Sequence, residues 1–182
     1  NCFLHELAAQ QEGTFDVVAL SDVFEHITEP LSFLAAARRL LKGDGILYVK
    51  VPNARWSVLK QRLLGLAGHR PEQGLWDSYE HVVHYTDQTL THMLQRAGLA
   101  TREIGIDPPV QTPNWHELVG HYYQYPTPWP IDWRRKFVRA AFYRMSWIER
   151  VLRGGSIGYC APNIFAVAAV AAPAREGSDH PA

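Results

Sequence analysis

Glu25 and His26 stand side by side, and His81 and His84 follow at His-x-x-His spacing. An imidazole titrates near neutral pH and can take a proton from a hydroxyl, so His26 is the first candidate for a general base. The adjacent Glu25 carboxylate would orient that ring. The structural alternative is that the Glu25-His26 pair orders a turn and caps the next helix. His81 and His84 would share a metal if both lay on one helical face. Only two cysteines accompany them, Cys2 and Cys160, and no third ligand has telling spacing, so no metal site is expected. Two cysteines form at most one bridge, which excludes a disulfide-built scaffold.

The patterning around these side chains predicts the elements that hold them. In Phe15 to Ser21 the run Val17 to Leu20 is continuously apolar, as a strand buried on both faces should be. Residues 31–41 carry an apolar helical stripe, with Pro30 in the first turn where its missing N–H costs nothing. Gly43-Asp44-Gly45 reads as the turn that ends this helix, and residues 46–52 as a second strand. Strand, helix and strand make a crossover unit with parallel strands. Ser21, Asp22 and Val23 then follow a carboxyl end, where open α/β sheets bind ligands. Beyond lie a short helix at 56–66, a helix at 87–96 begun by Thr86 or Asp87 and stopped by Gly98, and strands at 99–106 and 161–172. Leu4, Leu7 and Ala8 add a short helical segment before the first strand, and residues 173–182 read as a disordered tail.

With 182 residues, 47% of them apolar, the chain suits one domain with a real core. Eighteen Lys and Arg balance eighteen Asp and Glu, which argues against a nucleic-acid binder working through overall charge. The charge is nonetheless segregated. Residues 131–155 carry seven Lys and Arg against Asp132 and Glu149, as a basic amphipathic helix that reads as one solvated face over a core, the functional alternative being contact with an anionic membrane surface or an acidic acceptor. Before it, residues 107–130 hold six of the twelve prolines, and residues 115–147 hold ten aromatics. No apolar run is long enough for a spanning helix, and no signal peptide is visible, so a cytoplasmic protein is expected. The chain opens on Asn1 and its first methionine is Met93, as an internal or C-terminal piece of a longer protein would.

Five pieces in order carry a resemblance to a known family. They are Phe15-Asp16-Val17-Val18, Glu25-His26 with Glu29-Pro30, Gly43-Asp44-Gly45, Pro52-Asn53, and the stretches His81 to Thr86 and Leu94 to Leu99. Together they resemble the second half of class I S-adenosylmethionine-dependent methyltransferases, most of all the branch with the ubiquinone-type O-methyltransferases. The resemblance implies an α/β, Rossmann-like sheet, partial here, with an antiparallel last strand and an aromatic, basic insertion at about 107–155 that shapes the acceptor site. It implies S-adenosylmethionine as cofactor and a small-molecule methyl acceptor, with transfer to oxygen. Ser21, Asp22 and Val23 would meet the methionine end of the cofactor, and His26 with Glu25 would be catalytic. In some relatives an acidic residue at the Glu25 position helps to bind a divalent ion. Asn53, His81 and His84 would lie on the substrate side. The family's Gly-rich cofactor loop and second-strand acid are absent, so residues 1–172 are expected to be the C-terminal portion of such a domain. A non-catalytic interaction module is the alternative from another class, and a nicotinamide oxidoreductase a third.

Overall fold

The computed structural model describes residues 3–66, 68, 81–107 and 133–171. Most of the proline- and aromatic-rich block and the tail from 173 lie outside the described residues. Elements follow in the order α1 (Leu4–Gln10), β1 (Phe15–Ser21), a single 3-10 turn (Phe24–His26), α2 (Pro30–Leu40), β2 (Leu41–Pro52), α3 (Ala54–Leu66), α4 (Asp87–Arg96), β3 (Leu99–Asp107), α5 (Trp133–Leu152) and β4 (Asn163–Val170). No described helix is long and apolar enough to cross a membrane.

The strands form one sheet in the order β1-β2-β4-β3. β1 and β2 run parallel, while β4 is antiparallel to both β2 and β3. The expected single sheet with an antiparallel last strand is therefore what the chain builds. Because β4 enters between β2 and β3, Ser21, Lys50, Pro52, Asp107 and Asn163 gather at one edge. This is the carboxyl edge of the parallel pair, where open α/β sheets bind ligands.

Helix termini follow local chemistry. Pro30 opens α2 without losing a helical hydrogen bond. Thr86 caps α4 by accepting from the Thr89 N–H, while the Thr89 hydroxyl accepts from the Thr86 N–H. Gly98, at φ +75°, ends it in a left-handed conformation that glycine adopts freely. The buried faces of α2 and α4, with Leu34, Ala37, Leu90 and Leu94, pack on Leu20, Leu47, Val49, Val51, Ile164 and Ala166.

Two expectations need correction. Among the described residues β1 is not buried on both faces: Val17 is 52% exposed, since β1 is the edge strand of the described sheet and no described element covers that face. Gly43-Asp44-Gly45 is not a separate turn, because strand pairing already begins at Leu41. Phe15 pairs with Leu41 and Val17 with Ile46, so residues 42–45 bulge out opposite Asp16. Buried Leu41 holds the early start.

On the outer face the Phe165 ring stacks on Tyr48 at 5.9 Å and lies against Gly105. A methyl group on Gly105 would sit 2.5 Å from ring carbons of Phe165. Gly105→Ala is expected to destabilise the fold by about 1–3 kcal/mol. Urea unfolding checks this, and an unchanged midpoint would mean that the ring swings aside freely.

Candidate active site

β1 ends in three exposed residues, Ser21, Asp22 and Val23, followed by buried Phe24 and Glu25. Asp22 is the one non-glycine residue with positive φ among the described residues, at +53°. A side chain with a Cβ costs about 1–2 kcal/mol in that left-handed region, so the surroundings must impose it. The Asp22 N–H donates to the Lys50 carbonyl at 3.1 Å, and the Lys50 ammonium lies 3.0 Å from Asp22 Oδ2.

The 3-10 turn aims Glu25 inward and leaves His26 partly open. The Glu25 side chain is 3% exposed, against 35% for His26, and Glu25 Oε1 lies 3.8 Å from His26 Nε2. The other carboxylate oxygen, Oε2, is buried without a hydrogen-bond partner. Burial drives the Glu25 pKa upward and the Asp22 charge adds to the rise, while its own backbone hydrogen bond and the two imidazoles oppose it.

His81 reaches this pair through the backbone. The Glu25 carbonyl accepts from both the Val82 and the Val83 N–H, at 2.9 and 3.0 Å. Tyr85 anchors the same segment from below, stacked on Phe24 at 4.9 Å and joined to Asn53 by a parallel bridge. Its hydroxyl is buried, and burial with the nearby Glu25 charge pushes its pKa far above the usual tyrosine range. In consequence the His26 and His81 rings lie 5.0 Å apart, edge to face. Glu25, His26 and His81 each offer a ligand atom within 4.8 Å of the others. Residues 81–84 are not helical, so His81 and His84 form no helical pair; His84 lies 6.2 Å from His81, outside that trio. His81 joins Glu25 and His26 instead. An acid and two imidazoles of this kind can accept a proton or hold a divalent cation.

Asn53, expected at the substrate, is 1% exposed. Its side-chain amide donates to the carbonyls of Gly158 and Ala161, and its Oδ1 accepts from the Arg55 N–H. Its polar atoms are thus spent on the loop at 158–161 and on the start of α3. Glu149 holds the other side of that loop by accepting from the Tyr159 and Cys160 N–H groups. Burial and the Glu149 charge push the Cys160 thiol up to about 11.

Lys50 and Asp107 escaped the sequence reading. Lys50 has a 5% exposed side chain between Asp22 and Asp107, whose Oδ2 lies 3.5 Å away. The Tyr48 hydroxyl donates to Asp107 Oδ1 at 3.4 Å. The available signal was a lysine inside the otherwise apolar strand ILYVKVP.

Comparison with known proteins agrees with this layout. The sequence profile of a family described as Methyltransferase domain matches residues 1–104, more than half of the chain. The ubiquinone biosynthesis O-methyltransferase of Thiobacillus denitrificans is 30% identical over 101 residues, 54% of this chain and 42% of that protein. The one from Xanthomonas campestris pv. campestris is 38% identical over 50 residues, 28% of this chain and 21% of that protein. The chain thus spans less than half the length of these curated relatives. A chain from the complex of the Haloferax volcanii Trm112 methyltransferase activator with a methyltransferase shares the fold. Its TM-score is 0.52 at 14% identity, over 91% of this chain and 58% of that one. The open α/β sheet, with an exposed turn at its carboxyl edge, resembles that of Rossmann-like methyltransferases. With its profile matched over 104 of 182 residues, the chain belongs to the methyltransferase-domain family.

The buried Glu25 carboxyl makes stability depend on pH. Its pKa in the fold is raised above the ordinary value of 4.5, so the folded state holds its proton longer than the unfolded chain. Its stabilising contribution is complete below that ordinary value and is lost as pH rises through the higher folded value. Glu25→Gln should abolish this fall while leaving other pH dependence intact. Urea midpoints measured at a series of pH values check it; parallel curves for the two proteins would refute it.

Proposed function

We propose that this protein is a cytoplasmic enzyme that transfers a methyl group from S-adenosylmethionine to a hydroxyl of a small molecule. One observation carries the reading: the exposed turn Ser21-Asp22-Val23 leads directly into the cluster of Glu25, His26 and His81. The turn fits the amino-acid end of the cofactor, since it is open to ligand while Leu20 and Phe24 on either side are buried. When bound, S-adenosylmethionine supplies an activated methyl group on a sulfonium centre. Ser21, Asp22 and Val23 hold that end through backbone groups. His26 takes the proton of the acceptor hydroxyl, and Glu25 orients its ring. His81 and His84 contact the acceptor, and Asn53 supports them through its bridge to Tyr85. Orientation of the two reactants provides most of the acceleration.

A second reading of the cluster rests on the orphaned, buried Oε2 of Glu25, which is the kind of atom an ion satisfies. Glu25, His26 and His81 would hold a divalent cation, which when bound supplies Lewis acidity toward the acceptor hydroxyl. In the full-length protein His26→Ala is expected to lower turnover about 10²–10⁴-fold, with affinity for S-adenosylhomocysteine little changed. Turnover within about threefold of wild type would remove His26 from the chemistry. Loss of activity on chelation, restored by a divalent metal, would favour the cation; no methyl transfer by wild type would favour the interaction module.

We also propose peripheral contact between α5 and an anionic bilayer. Trp147, Ile148, Val151 and Leu152 are exposed beside Arg144, while Glu149, the only acid between 133 and 152, is turned onto the loop at 159–160. An apolar, cationic helix surface of this kind suits a headgroup interface. The protein should cosediment with vesicles containing phosphatidylglycerol, and Ile148→Glu should weaken this severalfold. Equal recovery with purely zwitterionic vesicles would overturn the assignment.

A further inference from the structure

Lys50 reaches the cofactor turn twice. Its carbonyl accepts the Asp22 N–H, and its ammonium meets the Asp22 carboxylate, so one residue of β2 holds both ends of the strained residue. The same ammonium meets Asp107 at the end of β3, and Tyr48 satisfies the far oxygen of Asp107. A buried ammonium needs an anion beside it, and Asp107, 14% exposed, already supplies one. Asp22 is 50% exposed and needs no partner for its own solvation. Its capture by Lys50 therefore does something other than neutralise a charge: it fixes a half-exposed side chain whose other described contact is a 3.4 Å hydrogen bond from the neighbouring Ser21 hydroxyl. We propose that Lys50 is a positioning residue for the reaction, holding Asp22 in its left-handed conformation so that the Ser21-Asp22-Val23 turn stays formed before the cofactor arrives. This rests on the cofactor role given above to that turn.

Preorganisation of this kind lowers the ordering cost of binding. It acts on the turn itself, so it is measurable with no ligand present. In the full-length protein, Lys50→Met should speed amide hydrogen exchange at Ser21 to Val23 at least tenfold while leaving the amides of α4 unchanged. Affinity for S-adenosylhomocysteine should fall about tenfold with a smaller change in kcat, and Lys50→Arg should restore both measures to within about threefold. Asp22→Gly relieves the backbone strain and removes the carboxylate. In that background Lys50→Met should add little further loss of affinity, as a double-mutant cycle would read. Should Lys50→Met fail to fold, Asp22→Asn serves in its place, because it keeps Lys50 paired with Asp107 and weakens only the contact with the turn. Unchanged exchange at Ser21 to Val23 in a folded variant, or an undiminished Lys50→Met effect beside Asp22→Gly, would overturn the proposal. If wild type binds no S-adenosylhomocysteine yet the exchange result holds, Lys50 still orders the turn and the cofactor reading is what fails.

Discussion

The carbonyl of Glu25 accepts two consecutive N–H groups, those of Val82 and Val83, and the candidate cluster of Glu25, His26 and His81 depends on that fork. It joins the turn after β1 to a segment that no strand pairing would bring there. His81 comes beside His26 because of it, and Tyr85 is set down on Phe24 with Asn53 at its flank. The Glu25 side chain is then sealed from water beneath the segment its own backbone recruited. Buried polar groups cost little when paired and a great deal when they are not. The edge obeys this rule at Asn53, Lys50 and Glu149, and leaves it at Glu25 Oε2 and at the Tyr85 hydroxyl. Buried polar atoms without a hydrogen bond call for an explanation, and both of these lie around the turn after β1.

Most of the scaffold was legible because its signals are local. Continuous apolar runs gave the strands, Thr86 and Gly98 bracketed α4, and Pro30 opened α2. What periodicity misread was the environment of an element. Val17 belongs to an apolar run, yet one of its faces is open, because patterning reports which residues tolerate burial and not what arrives to cover them. Gly43 and Gly45 looked like a turn, since glycine marks both turns and bulges, and only pairing partners tell them apart.

Of the site, Glu25 and His26 were visible as neighbours in the chain. The joining of His81 to them was not, because His-x-x-His suggests a helical pair and the segment held by the fork at Glu25 is not helical. Asn53 was noticed through a family pattern, but its burial and its two loop carbonyls are tertiary facts. Lys50 was passed over inside an apolar strand, although a charge there has to find an opposite charge or leave the core.

The strand order carries a consequence for how the chain becomes this structure. Of the described strands β4 comes last in the sequence, yet it lies inside the sheet, between β2 and β3. During vectorial synthesis β2 and β3 therefore emerge with a strand-wide gap between them, and neither can complete its hydrogen bonding until residues 163–170 have left the ribosome. Non-local pairing of this kind is slow, and waiting edges invite the wrong partner. A nascent chain stalled before Asn163 thus lacks, among the described pairings, both antiparallel ladders, and β3 has no strand beside it.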